Sequence, residues 1–176
     1  MGKVSKNPYK NIVIIITVVL IIIVSLIIVF TRSINTPEDT LSEFYNAVYV
    51  SSNLEDMESC LVESYRYYFE QAVTMAGMEP LYYQTYRDES VKLYNKNFHI
   101  TIKVTDQEYV NEAQLSKLRQ KYGQFSAAQN VTYDITFLGE KKEETFSNTI
   151  DMVQIRGKWY MVTHLTLPIG KNIYAY

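Results

Sequence analysis

The chain has 176 residues, 47% of them hydrophobic, and a formal net charge of −2. All 19 acidic residues follow Thr36, against 13 of the 17 Lys and Arg, so everything after that position carries a formal −6. An acidic segment without a basic stripe is a poor partner for nucleic acid or anionic lipid. The single cysteine, Cys60, excludes an intramolecular disulfide. With only two histidines beside it, no spacing suits a metal centre, and no motif calls for a cofactor.

From Asn11 to Phe30 there is no charged residue, and after Asn11 only Thr17 and Ser25 are polar. About 20 residues of helix are roughly 30 Å long, the thickness of a hydrocarbon core, and in lipid only a helix satisfies its own backbone at this β-branched density. Lys3, Lys6 and Lys10 precede the run, while Arg32 is followed by Glu38, Asp39 and Glu43. Positive charge stays on the cytoplasmic side, so residues 1–10 read as a cytoplasmic tail and 11–30 as a transmembrane signal-anchor. Residues 31–36 follow as a linker, and 37–176 as an extracytoplasmic domain. A cleaved signal peptide is the competing reading. The run is longer than a typical h-region, and no small-x-small site follows it. Lys6 stands where a myristoylation signal needs Ser or Thr.

Thr36-Pro37-Glu38-Asp39 combines an N-cap, a proline for the first helical position and two acids at the positive helix end. Leu41, Phe44, Tyr45 and Val48 then form an amphipathic stripe. Ser51-Ser52-Asn53 breaks it, and Asn53 is placed to cap a short helix carrying Leu54, Met57 and Leu61, with Cys60 packed inside. A third helix is expected over Glu63–Ala76, with Tyr65, Tyr68, Phe69, Ala72 and Ala76 on one face and Gly77 ending it. Glu79–Tyr94 suits a helix with Tyr82, Tyr86 and Leu93 inward, although its tyrosines would also suit a strand.

From Asn97 the period becomes two. Phe98, Ile100, Ile102 and Val104 alternate with His99, Thr101 and Lys103, which predicts a half-buried strand. Asn111–Tyr122 returns to helix, with Leu115, Leu118 and Tyr122 aligned and Gly123 as terminator. Val131, Tyr133, Ile135 and Phe137 mark a strand whose polar face includes Asp134. Residues 139–142 form a charged turn, Thr145–Ile155 a strand, Arg156-Gly157-Lys158 a tight turn, and Trp159–Leu167 the last strand. This order predicts an α+β domain with helices on one face of an antiparallel sheet.

Two stretches resemble the nuclear-transport-factor-2-like superfamily. Residues 36–48 (TPEDTLSEFYNAV) are similar to its opening helix, and residues 155–162 (IRGKWYMV) to its closing hairpin. The likeness extends to anchored extracytoplasmic members from Gram-positive bacteria. It implies a cone-like domain, N-terminal helices packed on a curved antiparallel sheet, preceded here by one transmembrane helix. Its pocket hosts enzymes in some relatives and only a partner or ligand in others. Conjugation and type IV secretion machines contain a single-span subunit of similar architecture, which is an analogy of fold.

No residue matches a catalytic motif of that family, so the expected catalytic, cofactor and metal sets are empty. Alternation turns His99 and Asp134 to solvent, and His164 in the last strand is the weak pocket candidate. The sixteen tyrosines are the more unusual feature. Tyr65, Tyr68 and Phe69 read as core, leaving Tyr67 and Tyr83 as candidate partner contacts. Trp159 joins the candidates, although its simplest place is under the hairpin. Asn130-Val131-Thr132 matches a glycosylation sequon, a pattern short enough to arise by chance. The leading expectation is a cell-membrane, single-pass binding or assembly module without catalytic activity, within a secretion or conjugation-type complex. Its expected partners are other membrane or envelope proteins, or itself. The alternative is a small-ligand sensor or pocket enzyme using the cone cavity.

Overall fold

A computed structural model describes residues 16–24, 35–67, 79–162 and 167–168, with side chains from residue 84 onward in the helix that begins at Glu79. The chain divides into two units between Ile34 and Asn35. In the first, residues 16–24 are helical and their apolar side chains are exposed. No helix among the described residues is long and apolar enough to cross a membrane. Most of the expected anchor at 11–30 lies outside the described residues.

The second unit runs α1 (Pro37–Asn46), a π-helical turn (Ala47–Ser51), α2 (Leu54–Ser59), a helical stretch described at 63–67 and α3 (Glu79–Tyr94). It continues β1 (His99–Tyr109), α4 (Glu112–Tyr122), β2 (Ala127–Leu138), β3 (Glu143–Ile155) and β4 (Lys158–Met161). The strands pair antiparallel in the order β1-β2-β3-β4. The mixed α+β class therefore holds.

Thr36 caps α1 reciprocally: its hydroxyl accepts from the Asp39 amide, and the Asp39 carboxylate accepts from the Thr36 amide. The helix then widens into the π turn, and Ala47, Val48 and Tyr49 are all buried there. Ser52, with φ of 54°, ends it in the left-handed region, and Asn53 caps α2 as its sequence position predicts.

One face of the sheet is the core face. Val131, Tyr133, Ile135 and Phe137 of β2 are buried against Leu41, Tyr45, Val48 and Tyr49, with Ile100 and Ile102 of β1 beside them. In α3 the inward residues are Tyr86, Ser90 and Tyr94, four apart, whereas Leu93 is 38% exposed. That corrects the expected inward Leu93, because positions 86, 90 and 94 recur every four residues on one face and residue 93 stands about 100° around the helix from Tyr94. Gly139 meets the end of α3 so closely that a Cβ there would collide with the backbone and Cβ of Tyr94.

The opposite face changes character along its length. Its β2–β3 pairs are polar at one end, where Thr136 bonds Thr145 and Thr132 bonds Thr149 across the strands. At the other end Ala128 and Val153 are apolar and buried with Leu115 of α4, Phe125, Val62 and Val162. Helices thus cover both faces rather than one, because the alternation that turns polar in mid-strand leaves this apolar end needing a cover.

The N-terminal segment bonds to both edge strands, at one amide of β1 and along the short β4. On β1 the Val104 amide donates to the Glu38 carboxylate (3.0 Å), next to a register shift between Val104 and Asp106. On β4 the Trp159 amide donates to Asn35 Oδ1 (2.6 Å), and its carbonyl accepts from the Thr40 hydroxyl (3.0 Å). The Met161 amide and carbonyl pair with Cys60 and Val62. Along β4 such contacts cover the edge from which a strand could recruit another chain. The expected strand Trp159–Leu167 is shorter, Lys158–Met161: Val162 and Leu167 are not in strand, and residues 163–166, with His164, lie outside the described residues.

Candidate functional site

The interior is aromatic and closely occupied. Tyr45 and Tyr49 stack with ring centroids 6.2 Å apart, Tyr49 meets Phe137 edge-on at 5.0 Å, and Phe137 stacks on Tyr94 at 5.3 Å. The hydroxyls of Tyr45 and Tyr133 share one hydrogen bond of 2.6 Å. Burial raises the pKa of both phenols, that of Tyr133 to about 12. Both stay protonated at neutral pH, a donor and an acceptor that satisfy each other.

Where this interior reaches the surface, the Tyr94 hydroxyl donates to Glu144, whose other partner is Lys142 at 2.7 Å. Lys142, and then Tyr94, hold the Glu144 carboxyl below its usual range. Cys60 is fully buried, and its thiol is pushed up to about 12, chiefly by burial and then by the Glu43 charge. It is a packing residue rather than a nucleophile at neutral pH.

The candidate residues fall in different places. Trp159 is 6% exposed and belongs to the core, so its ring offers no surface to a partner. Tyr67 is 58% exposed. Tyr83 lies on α3, but its side chain, like all of His164, falls outside the described residues. His99 is exposed and Asp134 half-buried, with the Ser147 hydroxyl donating to the Asp134 carboxylate. Tyr65 is half-buried against both core clusters. Tyr109, at 72% exposure, was not legible beforehand, because the apolar alternation of β1 stops at Val104 while the strand continues. Among the described residues, no group of three His, Cys, Asp or Glu side chains could hold a metal ion.

Among the described residues, an open groove of about 670 Å³ lies on the surface. Two turns build it. Gly123, with φ of 89°, ends α4 and releases Gln124, Phe125 and Ser126 along one wall. Ser126 holds that wall by donating its amide (2.8 Å) and hydroxyl (2.9 Å) to the Gln154 carbonyl. The other wall is the β3–β4 hairpin, where Arg156 (φ 53°) and Gly157 (φ 84°) occupy two positive-φ positions of the kind a two-residue hairpin turn demands. Ile155, Lys158 and Tyr160 complete this wall, and Glu63 lies at the margin.

The cations around it are steadied by rings. Lys158 Nζ lies 5.5 Å from the Tyr160 ring centroid, and the Arg119 guanidinium 5.7 Å from that of Phe125. Among the described residues, Glu63, Arg156 and Lys158 take part in no ion pair. The groove therefore presents hydrogen-bond donors, Lys158 and the exposed Arg156, beside the Tyr160 ring. The hairpin was anticipated from Arg156-Gly157-Lys158, whereas the opposing Gln124–Ser126 wall carried no sequence signal. No model of a known protein family, no curated protein and no solved structure matches this chain.

Proposed function

We propose that this protein is a single-pass membrane protein with its N-terminus in the cytoplasm and its α+β domain outside. In this reading the domain has the nuclear-transport-factor-2-like cone fold of anchored Gram-positive surface proteins. It serves as a non-enzymatic binding or assembly module, within a secretion or conjugation-type complex. The observation that carries the functional part is the division between interior and surface. The space between helices and sheet is taken up by Tyr45, Tyr49, Tyr94, Tyr133 and Phe137, each at most 1% exposed. Exposed aromatic and cationic groups stand instead on the outside, at Tyr67, Tyr109 and the groove. Large aromatics with a polar tip are the side chains from which interfaces draw most of their energy.

The test is crosslinking in intact cells followed by capture of the tagged full-length chain. A reproducible set of membrane proteins recovered near one-to-one is the expected result. Recovery of the chain alone would overturn the assembly role.

A further inference from the structure

We infer that the groove between the Gln124–Ser126 wall and the β3–β4 hairpin takes an acidic, extended peptide segment of a partner protein. This rests on the assembly reading above and assigns it a docking site. The first argument is a local reversal of charge. The chain beyond residue 36 carries a formal −6, yet the groove is lined by two cations, Arg156 and Lys158, and one acid, Glu63. The second is that the charge is unspent: Arg156 and Lys158 have no carboxylate partner among the described residues. A guanidinium fork and an ammonium lining one groove match one or two carboxylates, the Arg in bidentate fashion.

The third argument is composition. Tyr160, half-buried, contributes ring surface next to Lys158, which suits a peptide alternating acidic and apolar side chains better than a bare anion. The volume of about 670 Å³ lies within the range of roughly 300–1,000 Å³ in which ligand sites fall. A nucleic acid, with one charge per ~1.7 Å of duplex, would meet the repulsion of the whole acidic domain beyond so small a patch. A short peptide feels only the patch, because charges beyond about 10 Å are screened at ~0.1 M salt.

The experiment uses the full-length chain in non-ionic detergent and a fluorescein-labelled peptide of alternating Glu and Val, with a Lys-for-Glu peptide as control. Fluorescence polarisation should show the Glu peptide binding about tenfold tighter than the control, and weakening as salt rises from ~0.05 to ~0.5 M. The double reversal Arg156→Glu/Lys158→Glu should cost a further factor of about ten, and Glu63→Gln should tighten binding severalfold. Circular dichroism establishes that each variant is folded. Equal binding of the two peptides, or unchanged binding by a folded double variant, overturns the inference. The two readings fail separately. If the double variant still captures its partners from cells, the groove falls and assembly stands. If peptide binding behaves as expected but capture yields the chain alone, the groove stands and assembly falls.

Discussion

At the scale of single residues, the chain relies on hydroxyls and amides that satisfy one another out of water. Tyr45 and Tyr133 are the clearest case, 88 residues apart and joined by one buried hydrogen bond. Removing either hydroxyl strands the other, so Tyr45→Phe or Tyr133→Phe should each cost about 1–3 kcal/mol. Removing both leaves no orphan, and the double variant should lie within about 1 kcal/mol of the parent. Chemical denaturation of the four proteins checks this, and strictly additive losses would show that the hydroxyls do not act as a pair. Asn35 works on the same principle at the domain's first residue. Its amide donates to the Thr40 hydroxyl (2.6 Å) while its carbonyl oxygen receives the Trp159 amide, which ties the start of the unit to its last described strand. Nothing about an Asn ahead of Thr-Pro announces that task, because the partner is 124 residues away.

At the scale of elements, junctions matter more than the elements themselves. The β2–β3 turn carries Gly139 against the end of α3, with no room for a side chain. Gly139→Ala should therefore force that turn or the Tyr94 backbone to move, lowering stability by about 1–3 kcal/mol. Thermal unfolding followed by circular dichroism checks it, and a variant as stable as the parent would mean the approach relaxes freely. The helices and strands were themselves mostly legible. Thr36, Asn53 and Asn111 each cap a helix in the structure, the last with Gln114 in a reciprocal box. Positions 131 to 137 alternate as read. The helix over Glu79–Tyr94 forms as read, although its tyrosines would also suit a strand, and legibility failed where a pattern ended before its element did, as in β1 beyond Val104. There, backbone pairing with β2 decides the conformation, and it is not local.

At the scale of the whole molecule, the proposed orientation makes a separate prediction. Protease added to intact cells should digest the unit that begins at Asn35 and leave an N-terminal tag protected, as immunoblotting would read. Protection of both ends would remove the extracytoplasmic placement, and with it the envelope partners. The apolar stretch and its flanking charges determine this expectation by composition alone, since bilayer thickness and the bias of positive charge act on unfolded sequence as much as on folded. The caps, the strand periods and the α+β class were likewise determined by sequence, because each depends on residues within a few positions of one another. Tertiary structure alone decided which polar groups became partners, that α4 covers the second face, and that Arg156 and Lys158 line one groove with Gln124 and Ser126. Those outcomes join residues tens of positions apart, and the free energy of such contacts exists only after the chain has closed on itself.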